Sequence, residues 1–156
     1  MVLGLYKGEA EKHRYSLSHR GFGPTFGSHF WVTLLAQIVA AGRSTLFTPV
    51  SLAGHLDLKM MGLAPMAVLP AFQRMNFGSE LVRTGLEQCR DFGFEAVVVL
   101  GHPEFYPRFG FLPSTRFGID SEYGVPDEVF MVRELTSGAL RGRAGRVTYH
   151  PAFSDV

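Results

Sequence analysis

The stretch from Leu63 to Arg90, LAPMAVLPAFQRMNFGSELVRTGLEQCR, limits the possible folds more than any other part of the chain. Its first part is apolar and reads as a short buried strand stopped by Pro70, which has no N–H to continue a ladder. A turn through Ala71 and Phe72 then enters a helix spanning Gln73 to Arg90. On that helix Phe77, Leu81, Val82, Gly85, Leu86 and Cys89 share one face, and Glu80, Arg83, Thr84, Glu87 and Arg90 share the other. The helix should end near Asp91, with Gly93 as its stop. A strand that feeds a glycine-bearing turn and a helix N-terminus is an anion site in waiting. The first amides of a helix have no acceptor within it, and the macrodipole adds roughly half a positive charge there.

Around this block the chain alternates strand and turn signals. Ser44 begins a clearer region in which Thr45 to Leu52 reads as a strand interrupted by Pro49, at an edge or a bulge. Gly54 to Lys59 is its hairpin connection, and Met60 to Leu69 is the central strand. Glu95 to Leu100 is the strongest strand signal, β-branched and apolar on both faces, as a doubly covered parallel strand requires. Then comes HPEFYPRFGF, residues 102 to 111, in which Pro103 and Glu104 suit a helix start and Pro107 keeps the element short. Val129 to Leu135 and Leu140 to Tyr149 read as two further strands, the latter carrying the basic trio Arg141, Arg143 and Arg146. Towards the N-terminus, Trp31 to Ala41 is apolar and reads as either a buried helix or a strand, its length and alanine content favouring helix slightly, while Ser16 to His29 reads as loop. His13, His19 and His29 match no metal-ligand spacing, and no metal is expected.

Composition excludes several classes of function. The 156 residues are 46% hydrophobic with a formal net charge of +1, which fits one ordinary domain over 1–156 and neither a disordered chain nor a general nucleic-acid binder. The single cysteine allows no intrachain disulfide and fits a reducing compartment. No apolar run reaches the ~20 residues that span a bilayer. The first residues lack the pattern of a signal peptide, so a cytoplasmic protein is expected.

Taken together, the two blocks resemble the acetyl-CoA motif of GNAT-type N-acetyltransferases: a strand, Val-x-Pro, then Gln/Arg-x-x-Gly-x-Gly/Ala opening a helix. Gln73 and Gly78 occupy the first and last signature positions, and Asn76 stands where the family usually has its first glycine. Asparagine is among the side chains that best tolerate a positive φ, at a cost on the order of 1 kcal/mol. Further along, Tyr106-x-x-x-Gly110-Phe111 resembles the end of the motif, although the asparagine frequent in the preceding loop is absent. The likeness runs from about residue 45 to 153, where the chain resembles one bacterial subgroup of uncharacterised GNAT proteins. Residues 1–44 are divergent or truncated relative to the pattern, and 60–111 form the acetyl-CoA core.

The resemblance implies an α/β GNAT acyltransferase fold: a mixed, mostly antiparallel sheet, splayed at a central parallel strand pair and flanked by helices. It also implies transfer of an acetyl group from acetyl-CoA to a primary amine of a small molecule or protein, in a ternary complex. Backbone groups of Met66, Ala67 and Val68 would pair with pantetheine. Arg74, Met75, Asn76, Phe77, Gly78 and Ser79 would hold the pyrophosphate, and Tyr106 would serve the departing sulfur. An amine of pKa ~10.4 is only about one part in 2,500 neutral at pH 7, so a base or a dry pocket must supply the free amine. Glu104 and His102 are the chemically suitable groups. The arginine trio is either a solvated face or a site for the 3′-phosphate of the coenzyme or an acidic substrate. The implied partner is the amine acceptor, with no nucleic acid, no membrane and a homodimer among the allowed assemblies. A non-catalytic acyl-CoA-binding or regulatory module is the alternative, kept open by Asn76 and by the unmatched N-terminal third.

Overall fold

The computed structural model describes residues 15–17, 36–40 and 43–149. In chain order they form strands β1 (Tyr15–Leu17), β2 (Ala36–Ala40), β3 (Arg43–Leu52) and β4 (Met60–Val68), then helix α1 (Phe77–Asp91). Strands β5 (Ala96–Leu100), β6 (Leu112–Pro113), β7 (Ile119–Ser121), β8 (Phe130–Glu134) and β9 (Gly145–Tyr149) follow. Neighbours in the sheet run β1-β2-β3-β4-β5-β8-β6. The β4–β5 contact is parallel, and the other contacts along this path are antiparallel. This is the mixed, centrally parallel sheet that the sequence implies, with α1 packed on one face.

The centre of the sheet is shaped by a bulge. Strand β4 pairs with β3 from Met60↔Val50 to Val68↔Arg43, but between Leu63↔Phe47 and Met66↔Thr45 it carries Ala64 and Pro65 opposite Leu46 alone. Proline cannot donate to a ladder, and an added residue bends the bulged strand and increases its twist. Accordingly the β4–β5 register begins at Met60↔Ala96 and ends at Leu63↔Val99. The remaining five residues of β4 stay on β3 and leave β5. Pro49 is not itself bulged. It lies between the last β2–β3 pair, Ala36↔Phe47, and the first β3–β9 pair, Val50↔Tyr149, where no described strand occupies that edge.

Two apolar layers cover the two faces. On the helix side Phe47, Met61, Leu63, Val97 and Val99 meet Val82, Leu86 and Cys89 of α1. On the other side Met60, Ala96, Val98 and Val132 are enclosed by Ile119, Leu140 and Val147. That enclosure forms because β7 pairs in parallel with β9, and β9 takes over the edge of β3 that β2 has left. The sheet thus curls towards closure around its second core. Burial alone pushes the Cys89 thiol up to about 12, so this cysteine packs as an apolar side chain rather than reacting as a thiolate.

Several elements differ from the sequence expectation. Helix α1 begins at Phe77 rather than Gln73, because Arg74 and Asn76 both adopt left-handed backbone with φ 62° and 66°. Its C-terminus is as expected: Gly93 has φ 80° and its N–H reaches the Arg90 carbonyl at 2.9 Å. Residues 36–40 are a strand, not helix, since the edge of β3 offers β-branched Ile38 and Val39 a full set of ladder partners. Ser16 and Leu17 likewise belong to β1, while the rest of the expected loop, residues 31–35 and the three N-terminal histidines lie outside the described residues. Pro103 starts a turn rather than a helix, and a short 3-10 helix follows at Tyr106–Phe109. Only Gly145–Tyr149 of the last expected strand is extended. Residues before it turn through Arg141 N–H to Gly138 carbonyl and Arg143 N–H to Leu140 carbonyl, with Gly142 at φ 71°.

Gly85 sets the distance between helix and sheet. A Cβ there would lie 2.2 Å from Cε2 of Phe47, a ring that is fully buried. The Gly85→Val variant should therefore lose about 3 kcal/mol from overpacking, read as a lower urea midpoint with an unchanged m-value.

Candidate active site

The released end of β4 and the turn after β5 line one cleft. Its walls are Met66, His102, Pro103, Glu104, Phe105, Tyr106 and Arg108, and its volume is about 710 Å³. The two sequence blocks meet at Gly78. A Cβ built there would lie 3.6 Å from Cζ of Phe105 and 3.7 Å from Cε of Met66, which is ordinary contact. No neighbouring side chain therefore demands a glycine at this position, and its φ is not positive.

The loop that enters α1 is locally strained. Arg74 and Asn76 sit in the left-handed region on either side of Met75, at a cost of roughly 1–2 kcal/mol for each non-glycine residue. Asn76 is the N-cap of α1, with φ 66° and ψ 5°, so the asparagine supplies the conformation the family glycine provides. Its carbonyl accepts from the Glu80 N–H at 3.1 Å, while its side chain makes no cap. Gln73 turns back and donates from Nε2 to the Val68 carbonyl at 3.1 Å. That bond fastens the loop to the end of β4 and engages one of the backbone groups expected to face pantetheine. Arg74, Met75 and Asn76 are exposed, Phe77 and Gly78 half-buried, and Ser79 is buried in the first turn of α1. Of the residues expected to hold the coenzyme, Met66 lines the cleft, and Ala67, Val68, Arg74, Met75, Asn76, Phe77, Gly78 and Ser79 do not.

Tyr106 opens the 3-10 helix Tyr106–Phe109 and is buried. Its ring packs edge-on to Phe105 and Phe111, with centroids 5.0 and 5.7 Å away. Gly101 forms the floor under it: a Cβ there would lie 2.2 Å from Cε2 of the tyrosine. Burial pushes the phenol above its ordinary pKa, and no hydrogen bond or charge among the described residues contributes to that shift. Arg108 closes the rim. Its Nε donates to the Phe105 carbonyl at 3.1 Å, and its guanidinium lies 4.5 Å from the centre of the Phe105 ring.

His102 and Glu104, the two candidate bases, line the same cleft as Tyr106. The basic trio does not. Arg143 pairs with Asp57 in the β3–β4 connection at 2.8 Å, and Arg146 lines a separate cavity of about 200 Å³ beside Asp120 and Asp127. Among the described residues no group of three or more His, Cys, Asp or Glu could hold a metal ion, and no helix is long and apolar enough to cross a membrane. Phe105, Arg108 and Gly101 were not marked as site residues by sequence reasoning. Gly101 read only as the end of a strand, and nothing local shows that a ring 5 residues on lies against it.

A splayed parallel strand pair with a strained loop and helix N-terminus on one side and a buried tyrosine on the other defines an acyltransferase-type fold. The family model of the acetyltransferase (GNAT) family matches residues 5–111, and the chain belongs to this family. That match begins at residue 5, well before residue 45. The uncharacterised N-acetyltransferase YhbS of Escherichia coli K12 is 36% identical over 108 residues, which cover 69% of this chain and 64% of that protein. A crystal structure of the E. coli YhbS protein in complex with CoA superposes with a TM-score of 0.69 at 34% identity, over 76% of this chain and 64% of the other. A GNAT family acetyltransferase from Brucella melitensis in complex with acetyl-CoA gives 0.57 at 31% identity, over 78% and 68%. The chain thus spans less than two thirds of the length of the E. coli relatives it matches.

The Gly101→Ala variant tests whether the floor seats the tyrosine. The added methyl must displace the Tyr106 ring, so its intrinsic packing cost of about 1–3 kcal/mol should appear in thermal unfolding. In a crystal structure of the variant the Tyr106 ring should be moved, with β5 unchanged.

Proposed function

We propose that this chain is an acetyl-CoA-dependent N-acetyltransferase that acts on a primary amine by direct transfer in a ternary complex. The observation that carries this reading is the contact of Gly78, Met66 and Phe105 at one point, with the Tyr106 phenol in the same cleft. The chain fits the coenzyme in two ways. The amides of Gly78 and Ser79 in the first turn of α1, with Arg74 nearby, suit a pyrophosphate. The edge of β4 that β5 leaves unpaired beyond Leu63 suits an extended amide arm, which would add like a strand. Met66 and Phe105 offer that arm an apolar wall.

Acetyl-CoA supplies the electrophilic thioester and a thiolate leaving group. An N–H of Met66 or Ala67 would polarise the carbonyl as charge develops on its oxygen. The amine nitrogen forms its bond to the carbonyl carbon as the C–S bond breaks. Glu104 or His102 takes the proton that the amine loses, and the Tyr106 hydroxyl donates a hydrogen bond to the sulfur. Because burial raises the phenol's pKa above its usual ~10, it stays protonated at neutral pH. It is a weaker acid than a thiol near ~8.5, so proton transfer to sulfur comes late.

Two variants test these roles. Gly78→Val should abolish acetyl-CoA binding in calorimetry while the protein stays folded, since its side chain would enter the gap between the helix start, Met66 and Phe105. Unchanged binding would remove the pyrophosphate assignment. Tyr106→Phe should leave coenzyme affinity nearly unchanged and lower kcat by about ten- to a thousand-fold, with thiol release measured over a panel of primary amines. A raised folded-state pKa gives stability that is complete below the unfolded value of ~10 and lost as pH rises through the folded value. The Phe variant should therefore lack this part of the alkaline loss of stability. Tight binding without turnover by the parent would favour a binding module instead.

A further inference from the structure

We propose that Arg133 is a positioning residue for Tyr106, holding in place the turn that carries it; this rests on Tyr106 acting in transfer. Arg133 belongs to β8 and is paired with Val97 of β5, whose side chain faces α1. From there its Nη1 donates to the carbonyl of Phe109, the last residue of the Tyr106 turn. The other hydrogen bonds of this turn are local: Gly110 N–H to Pro107 carbonyl, Tyr106 N–H to His102 carbonyl and Arg108 Nε to Phe105 carbonyl. Among the described residues, Arg133 provides the side-chain hydrogen bond that ties the turn to the sheet.

The electrostatics argue that this contact has a purpose. The Arg133 guanidinium is half-buried, and both burial and the charge of Arg90 lower its pKa. No carboxylate among the described residues lies within ion-pair distance of it. A partly desolvated cation beside a like charge is unfavourable unless it makes strong hydrogen bonds. The compensation here is a charge-assisted bond to the carbonyl that ends the turn. Gly110, at φ 80°, brings the chain past the guanidinium: a Cβ there would lie 3.6 Å from its Nε. Strand β8 is held to β5 over five residue pairs, so the tie runs from a rigid frame to the phenol's own turn.

A double-mutant cycle on the full chain tests this. The variants are Arg133→Met, Tyr106→Phe and their combination, with Arg133→Lys as the conservative control and Arg133→Gln replacing Met if that variant fails to fold. Readouts are the thermal midpoint, the Kd for acetyl-CoA, and thiol release from acetyl-CoA with phenethylamine, spermidine, lysine ethyl ester and water as acceptors. Arg133→Met should leave Kd within about threefold and lower kcat by about tenfold or more, and Arg133→Lys should recover most of that loss. In the Tyr106→Phe background the same substitution should cost almost nothing further. A folded Met variant with parental kcat, or losses that multiply in the double variant, overturns the proposal and leaves Tyr106 in its role when Tyr106→Phe alone is slow. Undiminished turnover in Tyr106→Phe, or a parent that binds acetyl-CoA without turnover, overturns both.

Discussion

The site depends on a backbone disagreement within one strand. Strand β4 must satisfy β3 along its whole length and β5 along only its first four residues. The extra residue at Ala64-Pro65 reconciles these demands, because it shifts the register on one side and bends the strand on the other. Without the bulge, β4 and β5 would continue as an ordinary parallel pair, and the amides of Met66 and Ala67 would be spent on the ladder. An unpaired strand edge inside a sheet is normally a liability. Here it lies beside Met66, Phe105 and Tyr106, in a cleft where a ligand can complete it.

Aromatic rings laid on glycines determine how closely the layers approach. Phe47 lies against Gly85 and seats α1 on the sheet, Tyr106 lies against Gly101, and Tyr149 lies against Gly62 on the opposite face. In each case a Cβ would come within 2.7 Å of a ring carbon. The glycine removes the one atom that would hold ring and backbone apart, and the ring covers the backbone this leaves bare. At Gly62 the same arrangement closes the second core. There Tyr149 comes from the last described strand, and burial together with Tyr123 and Glu122 pushes its phenol well above the ordinary range. The Glu122 carboxylate accepts from the Tyr149 N–H at 2.7 Å, which fixes that end of β9.

Among the described residues, backbone strain is concentrated at the entry to α1. Arg74 and Asn76 hold left-handed backbone within three residues, in a loop secured at its start by Gln73 and at its end by the rising helix. Neither residue is buried, so packing does not impose these conformations. Successive turns of this kind bring backbone N–H groups together, the usual concave arrangement for an anion. Asn76 thus adopts the positive φ for which a glycine would be the ordinary choice.

Much of the frame could be read from the sequence because it rests on local periodicity. The faces of α1, the Val-rich strand β5, the Gly93 stop and the brevity of the Tyr106 turn all follow from residues within a few positions of one another. The positive φ at Asn76 was legible too, since few other side chains accept it. Arg74 has the same conformation without any such signal, so the helix start was placed four residues early. Strand β2 looked helical by composition, and only the free edge of β3 made it a strand. Closure of the second core joins residues 119–121 to 145–147 and residues 147–149 to β3, and no local pattern encodes such pairings. The same holds for the site. The sequence supplied Gly78, Tyr106 and the candidate bases, each marked by its neighbours along the chain. The tertiary structure decided that Gly101 lies under the tyrosine and that Arg133 reaches its turn, because contacts across a sheet depend on strand order and register rather than on distance along the chain.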